Sequence, residues 1–147
     1  MSKDFEQIPH TADLKIRVYG KDKKQLFRHA LIGMFQVIRP ITQGCTVQND
    51  RTICTELPIQ REIKVSAIDE ISLLVDFLSE ALYLSDVHDE AYLDVIIDNF
   101  SSVELKAVLL GVKIKRFDGV EIKAVTYHDL HIEKKDDEWV ADIVFDI

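Results

Sequence analysis

Residues 14–38 read LKIRVYGKDKKQLFRHALIGMFQVI, and this stretch decides the fold. Its first seven residues alternate: Leu14, Ile16 and Val18 on one face, Lys15, Arg17 and Tyr19 on the other. A period of two is the signature of a half-buried strand. Gly20 ends it, and the period then changes. Leu26, Phe27, Ala30, Leu31, Met34, Phe35 and Ile38 recur at helical spacing. Asp22 followed three residues later by Gln25 has the form of a capping box, and Pro40 closes the helix. A strand feeding directly into a helix excludes an all-β or all-α domain.

Working outward, residues 4–9 read as a short edge strand and residues 40–50, with Pro40, Gly44, Asn49 and Asp50, as a loop holding at most a short strand. Two strands, 51–57 and 61–68, flank a break at Pro58. A second helix starts at Asp69 as N-cap and carries Ile71, Leu74, Val75, Leu78, Ala81 and Leu82 as a broad apolar stripe. Ser85–Glu90 then reads as an exposed acidic loop. The remaining strands are placed at 91–98, 102–110, 121–133 and 138–146, with turns at Asp118-Gly119 and Asp136-Asp137. The sum is a single α+β domain over residues 1–147, with two helices packed on a mostly antiparallel or mixed sheet.

The net charge of -8, from 26 acids against 18 bases, argues against general binding to nucleic acid or anionic membranes. The clusters Lys21, Lys23, Lys24 and Lys113, Lys115, Arg116 read as solvated surface. No leader peptide or membrane-spanning run is visible, so a cytoplasmic location is expected. The 2 cysteines, Cys45 and Cys54, are too few for a disulfide framework or a zinc site and read as reduced thiols.

Chemistry concentrates at the two ends. His10-Thr11-Ala12-Asp13 stands near the start, and Asp146-Ile147 closes the chain with a side-chain and a main-chain carboxylate. If the fold brings Asp13 beside them, three anionic oxygen groups share one corner. Such a set repels itself unless a proton or cation intervenes, and hard oxygen donors select Ca²⁺, Mg²⁺ or Mn²⁺. Lys123 is the candidate partner for acids nearby. His128 and His131 form an H-x-x-H pair, but residues three apart on a strand face opposite ways, so zinc is discounted. His29 falls at the flank of an apolar helical stripe, as a packing residue. No P-loop, nucleophile elbow or dinucleotide fingerprint is present.

The pieces His10-Thr11-Ala12-Asp13, Leu26-Phe27, Leu73-Leu74-Val75, Leu82-Tyr83-Leu84, Glu121 through His128, Trp139 and Asp146-Ile147 together resemble the archease family. Leu14-Lys15 stand where that family usually carries Ile-Gly, and the stretch around Gly111-Val112-Lys113 lacks an expected Gly-Glu. The resemblance implies a strand–helix–strand–strand core with an insertion carrying the second helix. It implies a protein cofactor, not an enzyme, that speeds guanylylation and multiple turnover of a GTP-dependent RtcB-type RNA ligase in tRNA splicing. It carries metal ligation to Asp13, Asp146 and the Ile147 carboxylate, calcium foremost with magnesium or manganese as alternatives. His10, Asp69, Lys123 and His128 are supporting positions. The rival expectation is an RNA- or tRNA-modification-enzyme adaptor, or chaperone, that alters substrate specificity.

Overall fold

The computed structural model describes residues 3–9 and 13–147. The elements in chain order are β1 (Phe5–Ile8), β2 (Leu14–Gly20), α1 (Lys23–Val37), β3 (Pro40–Ile41), β4 (Cys45–Gln48), β5 (Arg51–Cys54), β6 (Ile59–Ser66), α2 (Glu70–His88), β7 (Glu90–Phe100), β8 (Glu104–Lys113), β9 (Arg116–Phe117), β10 (Ala124–Val125), β11 (His131–Lys135) and β12 (Glu138–Asp146). The α+β class with two helices stands. The strands divide among separate sheets, and every described pairing is antiparallel.

The larger sheet runs β1-β2-β12-β10, with β11 also on β12. One edge of β12 pairs with β2. Its other edge is shared: β11 takes Glu138 to Asp142, and β10 takes Phe145 and Asp146. The second sheet is β6-β8-β7. Between them lies α1, packed against both β2 and β7. That position explains why α1 is more than an amphipathic surface helix: Ala30 through Gln36 are all buried. A helix enclosed by two sheets needs apolar residues around its whole girth. Phe27 meets Phe77 of α2 and the edge of Phe100, while Phe35 stands edge-on to Tyr92, so aromatic contacts lock α1 to the β7 layer.

Local chemistry starts both helices as the residues predict. The Asp22 carboxylate accepts from the Gln25 N–H at 2.7 Å, and the Gln25 side chain reaches back to accept from the Lys21 N–H at 2.8 Å. The Asp69 carboxylate accepts from the Ser72 N–H at 2.7 Å.

Four expectations are corrected. Ser85–Glu90 is not an exposed loop: α2 runs on to His88, Ser85 is buried, and Glu90 opens β7 fully buried. Its carboxylate is enclosed by Arg61 at 2.9 and 2.8 Å and by the Tyr92 hydroxyl at 2.7 Å, which is how an acid survives burial. The single strand expected over 121–133 is two, β10 and β11, separated by a turn in which Asp129 adopts a left-handed conformation. Residues 40–50 are not mainly loop but carry β3 and β4. Cys45 and Cys54 are not free thiols; they form a disulfide across the β4–β5 ladder, where the register pairs them directly. Among the described residues, no helix is long and apolar enough to cross a membrane.

Candidate metal-binding corner and its neighbouring cleft

The corner is built by strand register. β2 and β12 pair Leu14 with Phe145, both buried at 3% and 0% exposure, as the last step of their ladder. One step further along each strand stand Asp13 and Asp146. On the other side of β12, Ala124 pairs with Asp146, and the Lys123 N–H donates to the Asp146 main-chain oxygen at 2.7 Å. Asp146 is thus held between two neighbouring chains. Phe145 turns into the core, so alternation turns the Asp146 side chain outward, where it is exposed. Ile147 follows at 42% exposure. The corner therefore brings Asp13 to the same end of the sheet as Asp146, across three adjacent strands, β2, β12 and β10.

The donor set suits a hard cation. Among the described residues, no three His, Cys, Asp or Glu side chains converge on a metal site, so Asp13 and Asp146 would need a further oxygen donor to hold a cation. Two aspartates and a main-chain carboxylate offer oxygen alone, without the sulfur or imidazole that zinc prefers.

The other predicted positions fall differently. Lys123 lies at the corner through its backbone, and its ammonium group forms no ion pair among the described residues, unlike a structural pair. His128 is exposed beyond β10 and turns to Asp129, with Nε2 3.3 Å from the carboxylate. Asp69 is the N-cap of α2, and the Ser72 N–H holds its carboxyl below the usual aspartate value. His10 lies outside the described residues. His29, read as a packing residue, is buried with Nδ1 2.6 Å from the Tyr19 carbonyl oxygen.

Sequence reasoning missed Asp142. Its carboxylate takes a two-pronged contact from Arg17 at 2.7 and 3.0 Å, with Lys15 at 3.7 Å. The Arg17 guanidinium holds the Asp142 carboxyl below the usual range against the opposing effect of burial. The alternation in both strands does place these three on outward positions. Only the register, Arg17 opposite Asp142, brings them together. Sequence reasoning also missed a cleft of about 720 Å³ between the C-terminal half of α2 and residues 119–125. Leu82, Tyr83, Asp86, Val120, Ile122 and Lys123 line it, so Lys123 links the cleft to the corner.

The archease protein family model matches residues 5–147 of this sequence. Protein archease of Methanosarcina barkeri is 37% identical over 153 residues, covering 99% of this chain and 97% of that protein. Protein archease of Pyrococcus abyssi is 34% identical over 152 residues, covering 99% of each. The solution structure of protein 1598 from Methanobacterium thermoautotrophicum has a TM-score of 0.71 at 28% identity, covering 98% of this chain and 99% of that one. The crystal structure of an archease, described as a possible chaperone, from Thermotoga maritima shares the fold, with a TM-score of 0.62 at 22% identity over 97% of this chain and 96% of that one. With a family model and curated relatives both spanning the sequence end to end, the chain belongs to the archease family.

Proposed function

We propose that this chain is a cytoplasmic, non-enzymatic activator of a GTP-dependent RtcB-type RNA ligase. It would promote guanylylation and repeated turnover of that ligase in tRNA splicing and RNA repair, acting through its acidic corner. The observation that supports this reading best is the register that makes Asp13 and Asp146 the next residues after the Leu14–Phe145 pair. Asp13 and Asp146, 133 positions apart in sequence, stand side by side at the ends of adjacent strands of one sheet.

In this proposal Asp13, Asp146 and the Ile147 carboxylate hold a divalent cation, with calcium, magnesium or manganese as candidates. A cation bound there supplies positive charge that offsets charge on nucleotide phosphates. The chain's own part is placement. The β2–β12–β10 ladders hold the corner rigid, and the buried Leu14–Phe145 pair behind it keeps the two aspartates from collapsing inward. The Lys123 ammonium, which has no ion pair among the described residues and whose backbone N–H is bonded to Asp146, is a further charge available to a partner's phosphate.

The test is the guanylylation rate of a purified RtcB-type ligase with GTP and Mn²⁺, with and without this protein. Acceleration well beyond the ligase alone is expected. An unchanged rate with the ligase of the same source overturns the reading and favours an adaptor of RNA- or tRNA-modifying enzymes, the role nearest to the description of the Thermotoga maritima protein as a possible chaperone.

A further inference from the structure

We propose that the Cys45–Cys54 bridge is a thiol–disulfide exchange site, open to a small anionic thiol of the glutathione class, whose reduction lets the two strands of the β4–β5 hairpin come apart. The hairpin forms a sheet of its own and pairs with no other described strand. Thr46 through Asp50 are exposed, and Val47 and Ile53 stand 68% and 46% exposed. An isolated two-stranded hairpin is marginal in water. The bridge joins its two strands to each other, and two polar ties hold it to the rest of the domain. The Gln36 amide of α1 donates to the Thr52 carbonyl at 3.0 Å and accepts from the Thr52 N–H at 2.8 Å. Arg51 lies over the Phe5 ring at 4.5 Å and reaches the Asp4 carboxylate at 3.4 Å. The disulfide closes the strand ends opposite the turn, so it limits how far the hairpin can open.

Both cysteines are half-buried, and one of them faces a hollow. Cys45 borders a hollow of about 470 Å³ that also has Thr42, Glu56, Lys113 and Lys115 on its walls. Lys113 donates to the His88 carbonyl at 2.7 Å and lies 3.9 Å from Glu90, while Lys115 has no carboxylate partner among the described residues. Cations beside a sulfur favour the thiolate and draw in an anionic thiol, with Glu56 opposing them. An incoming thiolate attacks the Cys45 sulfur. The sulfur–sulfur bond breaks, a mixed disulfide forms on Cys45, and Cys54 leaves as a thiolate that takes a proton from water. A second thiol then displaces Cys45 and carries away the first as its own disulfide. Two small thiols are oxidised and the protein bridge is reduced to two thiols.

The full chain is incubated in glutathione buffers of stepped reduced-to-oxidised ratio. Free thiols are trapped by alkylation and counted by mass, and amide hydrogen exchange is followed in parallel. The expected result is stepwise loss of the bridge through an adduct on Cys45, with exchange across residues 46–53 rising at least about tenfold while β2 and β12 stay protected. Lys115→Glu is expected to slow reduction by glutathione several-fold more than reduction by dithiothreitol, whose attacking thiolate carries one negative charge fewer. A bridge untouched by glutathione overturns the proposal. So does reduction that leaves residues 46–53 as protected as before, or that unfolds the whole domain. An adduct on Cys54, or equal slowing with both reductants, overturns the role of the hollow.

Discussion

Glu90→Gln removes one charge from the most enclosed acid in the molecule. The Glu90 carboxylate has 0% exposure, and it accepts two hydrogen bonds from Arg61 at 2.9 and 2.8 Å and one from the Tyr92 hydroxyl at 2.7 Å. Glutamine keeps the shape and one acceptor but points an N–H at a donor. Breaking a buried ion pair costs about 3–5 kcal/mol. The Arg61 side chain is 34% exposed, so water relieves part of its lost partnership, and about 2–3 kcal/mol remains for the substitution. For a domain of this size that lowers Tm by roughly 4–12 °C. The pH dependence has a definite sign. Arg61 hydrogen bonding holds the Glu90 carboxyl below its usual value of 4.5, against the opposing effect of burial, with further help from Tyr92 and Lys113. A depressed pKa contributes stability that is complete above the unfolded value and is lost as pH falls through the folded one. The gap between native and variant is therefore full at pH 7 and narrows only below about 4.5. Thermal and urea unfolding of both proteins at neutral and acid pH measure it. A variant as stable as the native protein at pH 7, or a gap that widens in acid, would refute the reasoning.

Two further perturbations probe other parts of the account. A short C-terminal extension turns the Ile147 carboxylate into an amide; Coulomb attraction of a unit charge to a divalent ion at contact in water, reduced by salt, is about 2–3 kcal/mol, so metal affinity by calorimetric titration is expected to fall by about tenfold or more, and superimposable titrations of tagged and untagged protein would contradict that ligand. Gly111→Ala drives a methyl into the Ala91 carbonyl oxygen, where the β7–β8 ladder shifts register just past the Tyr92–Gly111 pair. Backbone must move to admit it, and urea unfolding is expected to show a loss of about 2 kcal/mol or more.

The sequence carries local physics well in this protein and long-range register poorly. The strand at residues 14–20, the Asp22–Gln25 and Asp69 caps and the final strand over 138–146 are all recoverable from period and capping chemistry. The family likeness was recoverable as well, because its motifs are short contiguous stretches that need no long-range register to be read. What was not legible depended on partners distant in sequence. Glu90 looked like a loop acid because its Arg61 cage lies on another strand, 29 residues back. The Cys45–Cys54 bridge looked unmotivated because nothing local announces that the two residues face each other across a ladder. Asp142 joined Arg17 only through a register spanning 125 residues. The corner itself belongs to the same class: its ends are visible in sequence, but their convergence is a property of the β2–β12–β10 ladders.

The most direct test of the central claim compares native protein with Asp13→Ala in the guanylylation of an RtcB-type ligase by GTP and Mn²⁺. The substitution sits just beyond the ladder and leaves the buried Leu14–Phe145 pair in place, so the fold is expected to persist by circular dichroism. The account predicts that native protein accelerates guanylylation and that Asp13→Ala, folded but lacking one of three oxygen donors, does not. Full acceleration by the folded variant would contradict the role assigned to the corner.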